Sequence, residues 1–139
     1  ADLRESPQEI LSRLKLSSKR PTLFLLECVF MYMPEDSTNE LLSALAASKP
    51  DNAWIALYEP TLGTDAFGNM MEQNLVKAKV AGPDSCLLQS RSLHSQLEKL
   101  VKAGFGEQAV GCDMWAAYES IVTAEQRQLA NRAEFLDEV

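Results

Sequence analysis

The stretch PTLFLLECVFMYM, Pro21 to Met33, decides the fold class of this chain. Its residues are nearly all apolar, with Glu27 in the middle and Tyr32 near the end. A short oily run of this kind reads as a strand buried on both faces, expected over residues 22–30. A carboxylate buried there costs on the order of a few kcal/mol unless something pairs with it or the strand has already ended. Glu27 therefore needs a partner. The plain alternatives are that it caps a helix or meets an arginine; the functional one is that it meets a ligand.

Working outward, the segment before the run opens a helix. Ser6 is placed to cap it, Pro7 suits the first helical position, and Glu9 completes a capping box. Ile10, Leu11 and Leu14 form its apolar face. After the run, Pro34 cannot donate to a ladder, and Ser37 with Glu40 predicts a second capping box. Leu41, Leu42, Leu45 and Ala46 carry the helical period, which Lys49-Pro50 stops. AWIALYEP, residues 53–60, is a second short apolar strand. Helix, strand, helix, strand is the order of a parallel α/β sheet.

Beyond it, a helix is expected over residues 65–80, with Phe67, Met70, Met71 and Leu75 on one side and the Met70-Met71 pair in the core. Another is expected over 89–102, with Leu93, Leu97, Leu100 and Val101, stopped by Gly104. A weaker third strand is expected over 107–113. Helices over 114–122 and 124–138 follow, the last capped by Thr123 with Gln126. The expectation is about three strands and five to six helices in one α/β unit.

The 139 residues are 46% hydrophobic, enough for one domain or part of a larger one. A formal charge of −7 disfavours a nucleic-acid backbone or an anionic membrane as partner. Cys28, Cys86 and Cys112 form no CxxC, and the single histidine, His94, has no neighbour at metal-ligand spacing. Buried free thiols in a reducing compartment are expected, with no metal. No apolar run reaches membrane-spanning length and no basic leader precedes the first strand, so a soluble, cytoplasmic chain is expected. GFGEQA, Gly104 to Ala109, matches a dinucleotide-loop pattern on paper, but it ends a helix rather than opening one and reads as a C-cap and turn.

Open α/β sheets bind ligands outside the carboxyl ends of their strands. Glu27 and Tyr32 lie at or beyond one such end, Tyr58-Glu59 at the next, and Asp2 in the loop before the first helix. The opening DLR, PTLFLLECVFMYM, the Tyr-Glu of ALYEP, DAFGNMMEQNL and the closing EFLDE resemble the leucine carboxyl methyltransferase family, block by block and in the same order.

That resemblance implies a class I methyltransferase fold: a doubly wound, mostly parallel seven-stranded sheet that binds S-adenosyl-L-methionine. It implies methylation of the C-terminal leucine carboxylate of the type 2A protein phosphatase catalytic subunit. By the same resemblance Asp2 and Leu3 contact the cofactor's adenine, Glu27 stands against the cofactor, and Tyr32 holds the substrate carboxylate near the methyl group. The glycine-rich cofactor loop, the basic residue that pairs with the substrate carboxylate, and the last strand are not in this sequence. Residues 1–139 are therefore expected to be the C-terminal part of one methyltransferase domain, inactive alone and partnered by its N-terminal half. Two other readings stay open: a related methyltransferase acting on a small molecule or modified tRNA base, and a non-catalytic α/β interaction fragment.

Overall fold

The computed structural model describes residues 2–3, 5–17, 19–107 and 109–133. Helix α1 (Pro7–Leu14) starts on the predicted box: Ser6 caps it, with Glu9 reaching back to the Ser6 amide. Strand β1 (Thr22–Glu27), helix α2 (Glu35–Ser48) and strand β2 (Ala53–Tyr58) form a parallel crossover unit, with Thr22 opposite Ala53 and Glu27 opposite Tyr58. The remaining helices are α3 (Ala66–Lys77), α4 (Cys86–Gln89), α5 (Leu93–Ala103), α6 (Met114–Ile121) and α7 (Ala124–Ala133).

Several expectations need correction. The first strand ends at Glu27, three residues early, and Phe30–Tyr32 forms a 3-10 turn. Helix α2 begins at Glu35 behind Pro34, without a side-chain cap, so Ser37 lies inside it. Residues 107 and 109–113 form no strand, leaving two strands and seven α-helices among the described residues. An extended segment becomes a strand only by pairing, and this one forms no ladder with β1 or β2. Gly104 does cap α5, in the left-handed region at φ 95°. Thr123 and Gln126 cap α7 reciprocally, as predicted; residues 134–138 of the expected last helix lie outside the described residues, as does Arg4 of the DLR block.

One face of the two-stranded sheet is covered. Phe24, Leu26, Ile55 and Leu57 pack on a core of Ile10, Phe30, Leu41, Leu42, Leu45 and Leu100. The other face is bare: Leu23 is 60% exposed, Leu25 67% and Trp54 59%. The reading of β1 as buried on both faces thus holds for one face of these residues only. A smaller cluster of Met31, Leu62, Ala81 and Leu87 takes Met71 but leaves Met70 exposed. No helix among the described residues is long and apolar enough to cross a membrane.

Candidate functional site

The carboxyl ends of β1 and β2 lie side by side, and the chain leaves β1 through a tight turn bonded to the end of β2. Cys28 takes a left-handed φ of 50°, uncommon for a residue with a side chain, and its amide donates to the Tyr58 carbonyl at 2.7 Å. The chain then enters the 3-10 turn that carries Tyr32. That turn is held by Glu59. Its Oε1 accepts from the amides of Val29 and Phe30, both at 2.8 Å, and its Oε2 from the amide of Met31 at 3.2 Å. The capping role considered for Glu27 therefore belongs to Glu59, a residue from the neighbouring strand end.

Glu27 is the last residue of β1, exposed, and directly opposite Tyr58. Among the described residues no side chain bonds to its carboxylate or pairs with it. Strand β1 alternates, and Glu27 falls on the bare face with Leu23 and Leu25, so its carboxylate is exposed here. Tyr32 is 60% exposed at the end of the 3-10 turn. No hydrogen bond links it to Glu27 among the described residues. Leu3 packs against the main core and shares a shallow cleft with Ser37 and Leu41 at the start of α2, while the Asp2 carbonyl accepts from the Glu5 amide. Since α2 starts just beyond the end of β1, all four predicted site residues gather at the same end of the sheet. They remain separate positions on it.

Against the strand ends lies a cleft of about 550 Å³, walled by Cys28, Tyr58, Glu59, Phe67, Leu93, Gln96 and Met114 among others. Among the described residues none of its lining is basic. Its carboxylates are already engaged, Glu59 with the 3-10 turn and Asp113 with the amide of Ala116 at the start of α6.

Behind the 3-10 turn stands a polar hub that local sequence reading missed. Lys99, 5% exposed, donates to Glu35 Oε2 at 2.7 Å and to Cys86 Sγ at 2.8 Å. Ser90 Oγ donates to Glu35 Oε1 at 2.8 Å. Burial pushes the Glu35 carboxyl up, but the hydrogen bonds from Lys99 and Ser90 and the lysine charge outweigh it and leave it lowered. Burial raises the Cys86 thiol despite the neighbouring ammonium, so it is a neutral acceptor rather than a nucleophile. Two backbone bonds tie the chain after Tyr32 to this hub: Glu35 N to Asp84 O and Cys86 N to Met33 O, each 2.8 Å. The available signal was polar Gln96 and Lys99 one helical turn apart, beside the apolar stripe of α5. Cys112 is exposed and Cys28 half-buried, so only Cys86 fits the expected buried thiol.

Comparison with known proteins bears on what this sheet end does. A family model described as leucine carboxyl methyltransferase matches residues 1–46. Proteins named leucine carboxyl methyltransferase 1 align along the whole chain: 37% identical in Bos taurus, 35% in Rattus norvegicus and 32% in Caenorhabditis elegans. The chain spans 41% of the length of each of these relatives and matches their C-terminal half. It resembles the leucine carboxyl methyltransferase family over its full extent.

Proposed function

We propose that residues 1–139 form the C-terminal part of an S-adenosyl-L-methionine-dependent methyltransferase that esterifies the C-terminal leucine carboxylate of the type 2A protein phosphatase catalytic subunit. The observation that carries this reading is the alignment of the whole chain with relatives of that name. The bare apolar face of β1 and β2 supports a larger, doubly wound seven-stranded sheet, completed by an N-terminal half, because sheets of this class are covered on both faces. Free thiols at Cys28, Cys86 and Cys112 suit a cytoplasmic setting.

The residues present fit the cofactor. Glu27 offers an unengaged, acceptor-only carboxylate at a strand end, suited to a cation or to hydroxyl donors. Asp2 and Leu3, near the start of α2, are assigned to the adenine. When bound, the cofactor supplies a methyl group on a sulfonium cation. A leucine carboxylate is ionised at neutral pH, so this chain has no proton to remove. Its work is to orient the reactants and keep water away. Tyr32 donates its phenolic proton to the substrate carboxylate and fixes its direction. The positive charge that meets that carboxylate comes from the N-terminal half: near the strand ends, Lys99 is bound to Glu35, and Arg91 to Glu72 at 2.7 Å.

The test is calorimetry of the full-length protein with S-adenosyl-L-methionine, followed by methyl transfer to a peptide ending in leucine. Glu27→Gln is expected to weaken cofactor binding by about tenfold, the scale of one charged hydrogen bond. Absence of both binding heat and methyl transfer would sink the reading.

A further inference from the structure

The sheet rim carries an aromatic side chain beside Glu27. Tyr58 ends β2 as Glu27 ends β1, and the two are register partners in the parallel ladder. Register partners on neighbouring parallel strands point to the same face, with the strands about 4.8 Å apart. Both side chains are exposed on the bare face, Tyr58 at 47%. Neither the Glu27 carboxylate nor the Tyr58 phenol has a hydrogen-bond partner among the described residues.

The backbone beneath this pair is held firmly. The Cys28 amide, at its left-handed turn, donates to the Tyr58 carbonyl at 2.7 Å. Glu59, the next residue, is bonded to the amides of Val29, Phe30 and Met31. Behind the pair on the same face lie its neighbours in register, Leu25 with Ala56, then Leu23 with Trp54, all apolar. The pair itself stands at the strand ends, where open α/β sheets take their ligands. A carboxylate and an aromatic ring side by side, bordered by apolar surface, suit a weakly hydrated cation that carries alkyl groups. The carboxylate supplies opposite charge, and the ring face attracts the cation and packs on its substituents. A compact, strongly hydrated ammonium gains less from such a seat.

We infer that Tyr58 is a further cofactor-binding residue, its ring and the Glu27 carboxylate together forming the seat for the sulfonium end of the methyl donor. This rests on the methyltransferase reading above. The thioether left after transfer carries no charge, so this seat holds the spent cofactor less tightly than the loaded one. The substrate carboxylate is the competing occupant, but the Glu27 charge beside Tyr58 repels it.

The experiment is calorimetry of the full-length protein with two ligands: S-adenosyl-L-methionine and its neutral demethylated form, S-adenosyl-L-homocysteine. Tyr58→Leu is expected to weaken the cationic ligand about fivefold while the neutral one stays within about twofold of wild type. Tyr58→Phe keeps the ring and is expected to keep the wild-type ratio of the two affinities. Where the leucine variant does not fold, a ring-fluorinated phenylalanine at position 58 stands in. It keeps the shape but withdraws negative charge from the ring face, and is expected to give the same selective loss. Equal weakening of both ligands, or of neither, overturns the inference while leaving the methyltransferase reading in place. So does a Tyr58→Phe protein that loses as much as Tyr58→Leu, because the contact is then the phenol and not the ring. Wild-type protein that binds neither ligand and transfers no methyl group overturns the underlying reading, and this inference with it.

Discussion

Glu27 sits within the apolar run and Glu35 just after it, and the fold treats them in opposite ways. Glu35 lies against α4 and α5 with one oxygen on Lys99 and the other on Ser90, closing a hub that also holds Cys86. Glu27 stands at the open end of β1 with neither oxygen engaged among the described residues. A buried charge persists only when paired, and an open charge contributes little to stability whether paired or not. The contrast teaches a division of labour: the hub anchors the chain that follows the 3-10 turn, and the rim of Glu27, Tyr32 and Tyr58, where a ligand is proposed, stays exposed.

The sharpest way to break that contrast is to remove Lys99. Lys99→Ala leaves the half-buried Glu35 and the buried Cys86 without their donor and is expected to cost about 3 kcal/mol, the low end of the range for a buried pair that loses one partner, because Glu35 keeps contact with solvent. Urea unfolding of the full-length protein measures it. Replacing both partners, Lys99→Met with Glu35→Met, is expected to recover most of the loss. pH separates the same interaction. The folded pKa of Glu35 lies below the ordinary 4.5, so the unfolded chain takes up its proton first on acidification. The stabilisation is therefore complete above that ordinary value and is lost as pH falls through the lowered one. Lys99→Met removes this component, so the gap between wild type and variant is expected to narrow below about pH 4.5. A constant gap would show that the pair does not set the acid limit.

The next effect is smaller and lies between the two regions. Glu59→Ala strips the amides of Val29, Phe30 and Met31 of their shared acceptor and is expected to cost about 2 kcal/mol. Hydrogen exchange at those three amides reports it locally: they are expected to exchange faster while α2 and β2 keep their protection. If the turn keeps its protection, Glu59 is not what positions Tyr32.

The crossover unit was legible because its signals are local. Leu41, Leu42 and Leu45 mark α2, Pro50 ends it, and the short apolar runs on either side have nothing to form but strands. The end of β1 was not legible. Val29 and Phe30 favour a strand by composition, but the left-handed Cys28 and the Glu59 cap redirect the chain, and Glu59 lies 29 to 30 residues away from the amides of Val29 and Phe30. The hub was hidden for the same reason, since Glu35 and Lys99 are 64 residues apart. The expected strand over 107–113 failed because pairing requires a second edge, which no local pattern reveals. Glu27 was legible as a candidate: its position in an oily run raised the question, and the alternation of β1 answered it by setting the carboxylate on the open face.

The smallest expected change in stability belongs to the rim, and it sharpens the contrast most. Tyr32 is 60% exposed, so Tyr32→Phe removes one hydroxyl from solvent and is expected to shift unfolding by less than about 0.5 kcal/mol. In methyl transfer the same variant is expected to fall by about tenfold or more in kcat/KM, because the substrate carboxylate loses a donor. Cofactor affinity is expected to stay constant, since Glu27 rather than Tyr32 is assigned to the cofactor. Lys99→Met inverts the pattern: stability falls first, and activity follows only as the turn loosens. A Tyr32→Phe protein that methylates at the wild-type rate removes Tyr32 from the site and leaves Glu27 and Tyr58 on the rim. A variant that loses stability and activity together places Tyr32 with the hub instead, and the division of labour between the two regions fails.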